Sequence, residues 1–479
     1  MHRPGYRLAV PEGELHAAFT AARAELALPT TFPDPVLAEA ERAAAAVAVP
    51  STDLTDVPFI TLDPKGSTDL DQAMFLAREG SGFLVRYAIA DVPAFVTPGG
   101  AIDGEARQRG QTMYAPDGRT PLHPARLSED AASLLPNQDR PAFVWTFRLD
   151  SDGSVTETDL VRALVRSRAQ LDYDGVQREL DAGTADPMLT LLGEVGQRRV
   201  AQEQARGGAS LAIPDQEVVA SADGESYELR MRPPHAVEDH NAQISLMTGM
   251  AAAEIMLAGG VGILRTMPPA GSNAIARLRR QAEALGAAWP KHMKYGAFLR
   301  SLDPTVSGQL ALLYEAASLF RGAGYTPFDG TPPAEDQRKQ AAIGAAYAHV
   351  TAPLRRLVDR FGLVCCEAHV RGDAVPDWAR TALPTLAETM KASDHRAGAL
   401  GRACVDAVEA ALLASSVGAC FAATVVDLDE RRGGALVQLS DPAVLAHCDG
   451  DALPLGQQVQ VRLVAADVAT RRITFTLAS

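Results

Sequence analysis

The sequence predicts an α+β protein in which a short helical segment precedes a mixed central body and a small all-β barrel follows it. Three observations predict this class: an alanine-rich start with helical spacing, a strand-rich region that gives way to helices, and a strand-rich end. A chain of 479 residues favours two to four domains. The expected divisions are a helical N-terminal segment at 1–50, a central body at 51–415 and a C-terminal barrel at 416–479.

The N-terminal segment contains two runs with apolar residues at helical spacing, GELHAAFTAARAELAL and PDPVLAEAERAAAAVA, with prolines between them. Two helices joined by a short turn are compatible with a nucleic-acid-binding helix-turn-helix. They are equally compatible with a plain helical hairpin that packs on the next domain. The sequence leaves both alternatives open.

The central body begins with strands. VPFITLD, FLVRYAIADVPAFV and PAFVWTFRLDSDG are rich in β-branched and aromatic residues and are separated by Gly, Pro and Asp. From about Ala163 to Ser415 helical patterns dominate, with interruptions at Pro-Pro pairs. Strands followed by helices are typical of an α+β arrangement.

The end of the chain returns to strands. Residues 418–477 hold about five short strand-like runs, which is the size and strand number of a small OB-type barrel. Acidic residues outnumber its five arginines, so its chemistry alone gives weak support for RNA binding; the acids are Asp427, Asp429, Glu430, Asp441, Asp449, Asp451 and Asp467.

Composition places the chain among ordinary globular proteins, with 47% hydrophobic and 22% charged residues. MHRPGYRLAV lacks the features of a signal peptide, and AQISLMTGMAAAEIMLAGGVGIL fits a buried helix better than a membrane span, so we expect a cytoplasmic protein without membrane contact. The net charge of −14 is unusual for a nucleic-acid-binding protein. Either the partner is not nucleic acid, or the basic residues are concentrated in an internal channel.

The five cysteines are scattered and form no CxxC pair. A structural zinc site needs closer, paired spacing, and an odd number in a cytoplasmic chain argues against a disulfide framework. We therefore expect these cysteines to be small buried hydrophobic residues.

A cluster of carboxylates lies in TLDPKGSTDLDQAMF. Asp63 follows an apolar strand, and Asp69 and Asp71 are two residues apart, so they project to the same side if the segment is extended. Converging carboxylates repel one another unless a cation neutralises them, and Mg²⁺ prefers oxygen ligands of this kind. A surface turn that uses Asp, Gly and Ser for loop chemistry is the alternative.

A pair of arginines follows in YAHVTAPLRRLVDRF. Here Thr351 suits a helix N-cap and Pro353 the first turn. Cations are disfavoured at a helix N-terminus, so Arg355 and Arg356 would be placed well there if a phosphate occupied the site. Two solvated arginines near Asp359 are the alternative.

Four signatures in this order resemble the RNB catalytic domain of ribonuclease II and ribonuclease R over roughly residues 50–400. They are LDPKGSTDLDQAM, the long run from AIADVPAFV to NQDRPAF, ARGGASLAIP and YAHVTAPLRRLVDR. The end of the chain from Gly418 is similar to the OB-fold that such enzymes carry.

The resemblance implies an α+β body with the active site at the bottom of a channel too narrow for duplex, which would hold the basic groups inside. It implies processive 3′→5′ hydrolysis of single-stranded RNA to nucleoside 5′-monophosphates with Mg²⁺, which Mn²⁺ can replace. We expect a monomer that needs no protein partner.

The resemblance also implies roles for single residues. Asp63, Asp69 and Asp71 match the carboxylates that handle metal and water, and Arg355 matches the arginine on the scissile phosphate. Tyr114 matches the aromatic residue that stacks on the terminal base, although an ordinary strand-end tyrosine is the alternative. Further RNA contacts are expected from the remaining matched positions: Thr351, Arg356, Asp394 and Arg396. The last two, in MKASDHRAGAL, fit a solvated helix face equally well.

The sequence departs from the family at three places. Gln72 stands where a second aspartate is usual, so it can offer a metal ion an oxygen but no charge. Ser245 stands where a glutamate is usual, and the N-terminal segment is too short for the paired cold-shock barrels common in the family. The change at Gln72 favours a second hypothesis, an RNA-binding regulator with weakened catalysis, and an unrelated metal phosphohydrolase is a third.

Overall fold

The computed structural model describes residues 6–7, 12–209, 215–220, 227–232, 234–304, 306–320, 322–429, 433–439, 442, 444–450 and 453–478. The end of the ARGGASLAIP signature lies outside these residues. The described strands are β1 (Tyr6–Arg7), β2 (Thr52–Asp53), β3 (Phe59–Asp63), β4 (Gln72–Glu79), β5 (Gly82–Ala90), β6 (Met113–Ala115), β7 (Gly118–Thr120), β8 (Asp139–Leu149), β9 (Val155–Asp172), β10 (Asp215–Ala220), β11 (Tyr227–Arg232), β12 (Val261–Thr266), β13 (Gly324–Asp329), β14 (Lys339–Gln340), β15 (Ala345–Ala346), β16 (Cys420–Leu428), β17 (Ala435–Leu439), β18 (Leu445–Asp449), β19 (Gln458–Asp467) and β20 (Arg472–Leu477).

The described α-helices are α1 (Glu12–Glu25), α2 (Asp34–Ala45), α3 (Ala101–Arg109), α4 (Tyr173–Asp181), α5 (Pro187–Ala205), α6 (Ala236–Gly259), α7 (Ser272–Ala284), α8 (Tyr295–Arg300), α9 (Ser307–Ala316), α10 (Leu357–Arg371), α11 (Asp377–Arg380) and α12 (Leu383–Leu413).

A mixed sheet in the order β2-β9-β3-β4-β5-β8 forms the centre of the body, and β8 also pairs with the long β9. The pairs β2–β9 and β3–β9 are parallel, whereas the others are antiparallel. Large apolar side chains such as Tyr87, Phe143 and Trp145 are fully buried beneath the helices. The β-branched and aromatic strands that the sequence predicts are therefore confirmed.

Helix α6 is long and apolar enough to span a membrane by length and composition. In this structure half of its most apolar window is buried, and Ile244, Met247 and Met256 join the main hydrophobic core. The helix is capped by Gly260, whose φ of 79° is the left-handed conformation that favours glycine. The apolar stretch thus serves here as a core helix, as predicted.

The two N-terminal helices pack on different parts of the body. Leu15 and Phe19 of α1 are buried with Leu400 and Val408 of α12. Val36 of α2 belongs to a separate core that includes part of α3. Both helices dock on the next domain, as the hairpin alternative expects, but their buried side chains do not share a core.

The C-terminal strands form a closed barrel in the order β16-β17-β18-β20-β19. β18 and β20 pair in parallel, and the other neighbours are antiparallel. Val425, Val437 and Phe475 are fully buried inside it. The predicted five-stranded, OB-like barrel is confirmed, and Arg471 ties it to α1 through an ion pair with Glu25 (Nη2–Oε2, 2.6 Å).

Helices dominate from Ala163 to Ser415 as predicted, although this region also contains the strands from β10 to β15 and most of β9. One expectation from the sequence needs correction. Four of the five free cysteines are buried as predicted, whereas Cys420 is exposed at the start of the barrel.

Candidate active site

The connection between β3 and β4 lines a pocket of about 860 Å³. Asp63 ends β3, and a turn at 64–67 follows, in which the Ser67 amide donates to the Pro64 carbonyl at 3.1 Å. Gly66 has a φ of 87°, a conformation that a side chain would strain. The turn reverses the chain so that Asp69 and Asp71, just before β4, line the same pocket as Asp63.

Asp63 and Asp71 each have one buried carboxylate oxygen, Oδ2, without a hydrogen-bond partner. The other oxygen of Asp71, Oδ1, accepts the Leu354 amide at 2.7 Å, and only 2% of the residue is exposed. Arg355 Nε lies 3.7 Å from Asp71 Oδ2, too far for a hydrogen bond. Buried carboxylate oxygens are costly without a partner, so these two atoms mark a place that a ligand would complete.

The pKa values of Asp63 and Asp71 are both raised, because nearby positive charge only partly compensates the burial of their carboxylates. Burial, and then the charge of Asp69, raises the pKa of Asp63 to about 7, although Arg355 opposes the shift. Burial also raises the pKa of Asp71 well above its usual range, against the opposing charge of Arg355. One half-exposed arginine does not neutralise this pair, and a bound cation would.

Asp69 faces a different set of partners. Its Oδ1 accepts Arg119 Nη1 at 2.6 Å, and its Oδ2 accepts the Tyr114 hydroxyl at 3.1 Å. Tyr114 and Arg119 are directly opposite each other on the hairpin of β6 and β7. Since opposite residues of a hairpin share a face, one carboxylate binds both. Tyr114 is 52% exposed, so its ring is open to a ligand.

Helix α1 supports the turn of this hairpin. Arg23 Nη1 donates to Asp117 Oδ2 at 2.9 Å, and His16 Nδ1 lies 3.1 Å from the same oxygen. Asp117 is the second residue of the two-residue turn between β6 and β7. The N-terminal helix therefore contacts the element that carries Tyr114.

The arginine segment differs from the expected helix start. Helix α10 begins at Leu357 with Arg356 as its N-cap residue, so the prediction that Thr351 is the N-cap is wrong. The preceding turn is held by carboxylates from elsewhere: the Ala352 amide donates to Asp359 Oδ1 at 2.7 Å, as Leu354 does to Asp71. These amides are not free to bind an anion.

The two adjacent arginines have separate environments. Arg356 is largely buried and makes two hydrogen bonds to Asp359, at 2.9 and 2.7 Å. The side chain of Arg355 is 43% exposed and lines the pocket. Arg355 is therefore placed for a ligand, whereas Arg356 stabilises the start of α10.

Gln72, the first residue of β4, also lines the pocket. Its Nε2 donates to the carbonyl oxygen of Thr351, a residue that is itself buried. The amide oxygen of Gln72 is left as an acceptor for another partner. Asp71 and Gln72 together fasten the segment that carries Arg355 to the start of β4.

Asp394 and Arg396 do not line this pocket in the described structure. Asp394 Oδ2 accepts Arg265 Nη1 at 2.9 Å, and Arg265 also lies over the ring of Tyr325. Arg396 Nη2 donates to the carbonyls of Gln108 and Arg109 at the end of α3, at 3.0 and 3.1 Å. Their RNA-binding roles stay predictions.

Two pocket residues were missed by sequence reasoning. Arg119 carries no local signal, because its partner Asp69 is 50 positions away. Tyr173 starts α4 and lines the pocket, and its hydroxyl accepts Asn241 Nδ2 at 2.9 Å. Its position directly after β9, which pairs with β3, could have indicated that it lies beside Asp63.

The donor set fits a divalent cation only in part. Among the described residues, no three His, Cys, Asp or Glu side chains are arranged to hold one metal ion. Asp69 lines the same pocket, but it accepts hydrogen bonds from Arg119 and Tyr114, so its charge is already partly compensated. The unpartnered oxygens of Asp63 and Asp71 are hard ligands of the kind that Mg²⁺ takes when water and substrate oxygens supply the rest.

Comparisons with known proteins agree with this geometry. Residues 51–362 match the RNB domain, and residues 420–478 match the RNase II-type exonuclease C-terminal S1 domain. Exoribonuclease 2 of Enterobacter sp. (strain 638) is 26% identical over 434 residues, which are 85% of this chain and 65% of the relative. The chain thus spans slightly less than two thirds of that protein.

Solved structures show the same fold. RNase R of Mycoplasma genitalium in complex with ribose methylated single-stranded RNA superposes with a TM-score of 0.86 at 19% identity, covering 97% of this chain and 78% of that one. Yeast Ssd1, a pseudonuclease, gives a TM-score of 0.68 at 18% identity, covering 89% of this chain and 53% of that one.

Proposed function

The chain belongs to the RNB family of exoribonucleases, and on that basis we propose that it degrades single-stranded RNA processively from the 3′ end, releasing nucleoside 5′-monophosphates with the help of Mg²⁺. Mn²⁺ would substitute as a hard cation of similar ligand preference. A monomer in the cytoplasm that acts without an obligate protein partner is part of the same proposal.

One observation carries the proposal: two buried, unpartnered carboxylate oxygens share a pocket with a half-exposed arginine and an exposed tyrosine ring. Phosphodiester hydrolysis needs stabilisation of anionic oxygens, a positioned water and a grip on the terminal nucleotide. Asp63 and Asp71, Arg355 and Tyr114 supply groups suited to these tasks. A pocket of about 860 Å³ has the volume of a small-ligand site.

Each residue then has a defined task. Tyr114 stacks on the 3′-terminal base, which any base allows because all have a π-face. Arg355 binds the scissile phosphate through two parallel hydrogen bonds and stabilises the charge that develops on its oxygens. Asp63 and Asp71 hold the cation, which when bound supplies Lewis-acid stabilisation and a more acidic water. Water oxygen bonds to phosphorus, the P–O3′ bond breaks, and the 3′ oxygen takes up a proton.

The net charge of −14 is compatible with this task if binding depends on the pocket rather than on an extended basic surface. Lys65, Arg119 and Arg355 line the same pocket as the carboxylates. The acidic surface would then disfavour RNA that is not threaded into the site.

The decisive experiment incubates 5′-labelled single-stranded RNA with the protein and Mg²⁺. We expect a ladder that descends from the 3′ end and disappears with EDTA. DNA of the same sequence should be degraded far more slowly, since the 2′-hydroxyl distinguishes the two. Endonucleolytic fragments, or equal rates on DNA, would refute the proposal.

Gln72 favours a second candidate, a catalytically weakened RNA-binding regulator of the same family. Its amide donates to Thr351 and adds no negative charge, so a cation would be held by fewer anionic ligands. Tight RNA binding without a ladder at any Mg²⁺ or Mn²⁺ concentration would select this candidate.

A further inference from the structure

Arg119 is a permanent cation beside the carboxylates of the proposed active site, and no family motif assigns it a role. It lies in β7 opposite Tyr114 and lines the pocket. Beyond Asp69, its Nη2 lies 2.7 Å from Glu129 Oε1 and donates to Thr68 Oγ1 at 2.6 Å. About a quarter of its side chain is exposed, against 13% for Asp69.

The contacts of Arg119 decide what Asp69 is able to do. The short Nη1–Oδ1 hydrogen bond occupies one carboxylate oxygen, and the Tyr114 hydroxyl occupies the other. A charge-assisted pair that is partly shielded from water is stronger than an exposed one. The charge of Asp69 is therefore already compensated by a cation and a second donor, whereas Asp63 and Asp71 each offer an oxygen without a hydrogen-bond partner.

We propose that Arg119 is a positioning residue that converts Asp69 from a metal ligand into the anchor that holds Tyr114 over the pocket. The guanidinium fixes the carboxylate, the carboxylate fixes the phenol, and the ring is held ready to stack on the terminal base. This inference rests on the proposed function. It adds that the cation is bound by Asp63 and Asp71 without Asp69.

The first test measures metal binding without RNA. Mn²⁺ is titrated by electron paramagnetic resonance into wild-type protein, Asp71→Asn and the double variant Arg119→Leu/Asp69→Asn, which keeps the net charge. We expect the double variant to bind Mn²⁺ within about threefold of wild type, and Asp71→Asn to lose at least about tenfold, as ligand losses do. Circular dichroism verifies that each variant is folded.

The outcomes separate the inference from the proposed function. If the double variant loses Mn²⁺ as severely as Asp71→Asn, then Asp69 is a ligand and the inference is wrong. If wild-type protein binds no Mn²⁺ at this site, the metal-dependent function itself fails.

The second test measures the position of Tyr114 through steady-state kinetics on a short single-stranded RNA. Arg119→Leu should raise KM about tenfold, the order of one lost base stack, while kcat falls less than about threefold. Arg119→Lys should recover part of the loss, because an ammonium reaches Asp69 but cannot also hold Glu129 and Thr68.

Arg166→Leu is the control, since Arg166 also pairs with an aspartate, Asp139, through two hydrogen bonds, but outside the pocket. It should leave both constants unchanged. An Arg119→Leu protein whose KM matches wild type, or whose kcat falls while KM stays constant, would overturn the positioning role.

Discussion

The two walls of the pocket differ in how completely their polar groups are satisfied. The open wall, formed by Asp63, Asp71 and Arg355, has two buried oxygens without partners and an arginine 3.7 Å from the nearer carboxylate. The filled wall, formed by Tyr114, Asp69 and Arg119, has hydrogen bonds on both carboxylate oxygens. Both walls contain aspartate and arginine, so the charged residue types alone do not distinguish them.

This difference indicates where chemistry takes place. Folded proteins satisfy nearly all their buried polar groups, and an exception usually marks a group that a ligand completes. The open wall is therefore suited to binding a cation and a phosphate, whereas the filled wall is suited to holding the ring of Tyr114 in position. Substitutions in the open wall should lower kcat, and substitutions in the filled wall should mainly raise KM.

The largest effect is expected for Asp71→Asn. The change removes a charge from the open wall without touching the stacking ring, so kcat should fall about 1000-fold or more while RNA affinity stays near wild type. Single-turnover kinetics and filter binding measure the two quantities. If the variant retains more than about a tenth of wild-type kcat, Asp71 does not bind the cation.

Arg355→Lys should have the second-largest effect, a reduction of kcat by about 100-fold, although the charge is kept. A point ammonium cannot reproduce the two parallel hydrogen bonds of a guanidinium to phosphate. Arg356→Lys is the matched control: since Arg356 pairs with buried Asp359, it should lower the melting temperature and leave kcat largely intact. If the two variants have similar kcat values, the assignment of phosphate binding to Arg355 and of a structural role to Arg356 is wrong.

Tyr114→Ala should raise KM about tenfold with a smaller change in kcat, because one stacking contact is lost. Tyr114→Phe keeps the ring and loses only the hydroxyl contact with Asp69, so it should lie between Ala and wild type. Steady-state kinetics on RNA with a normal or an abasic 3′ end measure this. If the abasic end weakens binding equally in wild type and Tyr114→Ala, the ring does not contact the terminal base.

Gln72→Asp should lower the Mg²⁺ concentration for half-maximal rate about threefold, since an anionic ligand holds a hard cation better than an amide oxygen. The variant also loses the hydrogen bond to Thr351, so its melting temperature should fall slightly. Gln72→Ala, which loses the same bond without adding a charge, is the control. A Mg²⁺ requirement that rises equally in both variants would assign Gln72 to positioning alone.

The smallest effect is expected from Arg23→Met, which cuts the ion pair between α1 and the hairpin turn at Asp117. KM should rise less than about threefold, because α1 keeps its apolar contacts and one partly buried pair contributes modestly. The charge-swapped double variant Arg23→Asp/Asp117→Arg should restore wild-type KM. An increase in KM as large as that expected for Tyr114→Ala would show that the position of Tyr114 depends on the contact with α1.

The sequence predicted the class of fold well because its signals are local. β-Branched and aromatic residues bounded by Gly, Pro and Asp indicate the strands around Tyr87 and Trp145, and short strand-like runs indicate the barrel. The site was predicted through ordered motifs, and Asp63, Asp71, Tyr114 and Arg355 do line one pocket.

What the sequence could not supply depends on long-range contacts. The local sequence at Thr351 is typical of a helix N-cap. In the fold, Asp71 accepts a hydrogen bond from the amide of Leu354, 283 positions away, and this contact stabilises a turn, so the helix begins only at Leu357. Asp69 looks like Asp71 in the chain, and only the fold places Arg119 against one and not the other. The separate docking of α1 and α2 likewise depends on apolar partners far along the chain.

The packing of α1 against α12 has a consequence for synthesis on the ribosome. Leu15 and Phe19 are synthesised almost 400 residues before their partners Leu400 and Val408. At about 5–20 residues per second, this apolar face waits on the order of 20–80 s for its binding surface. A helix of 14 residues is marginal alone in water. Helix α1 therefore docks late in synthesis, and its docking adds the contact between Arg23 and the hairpin that carries Tyr114.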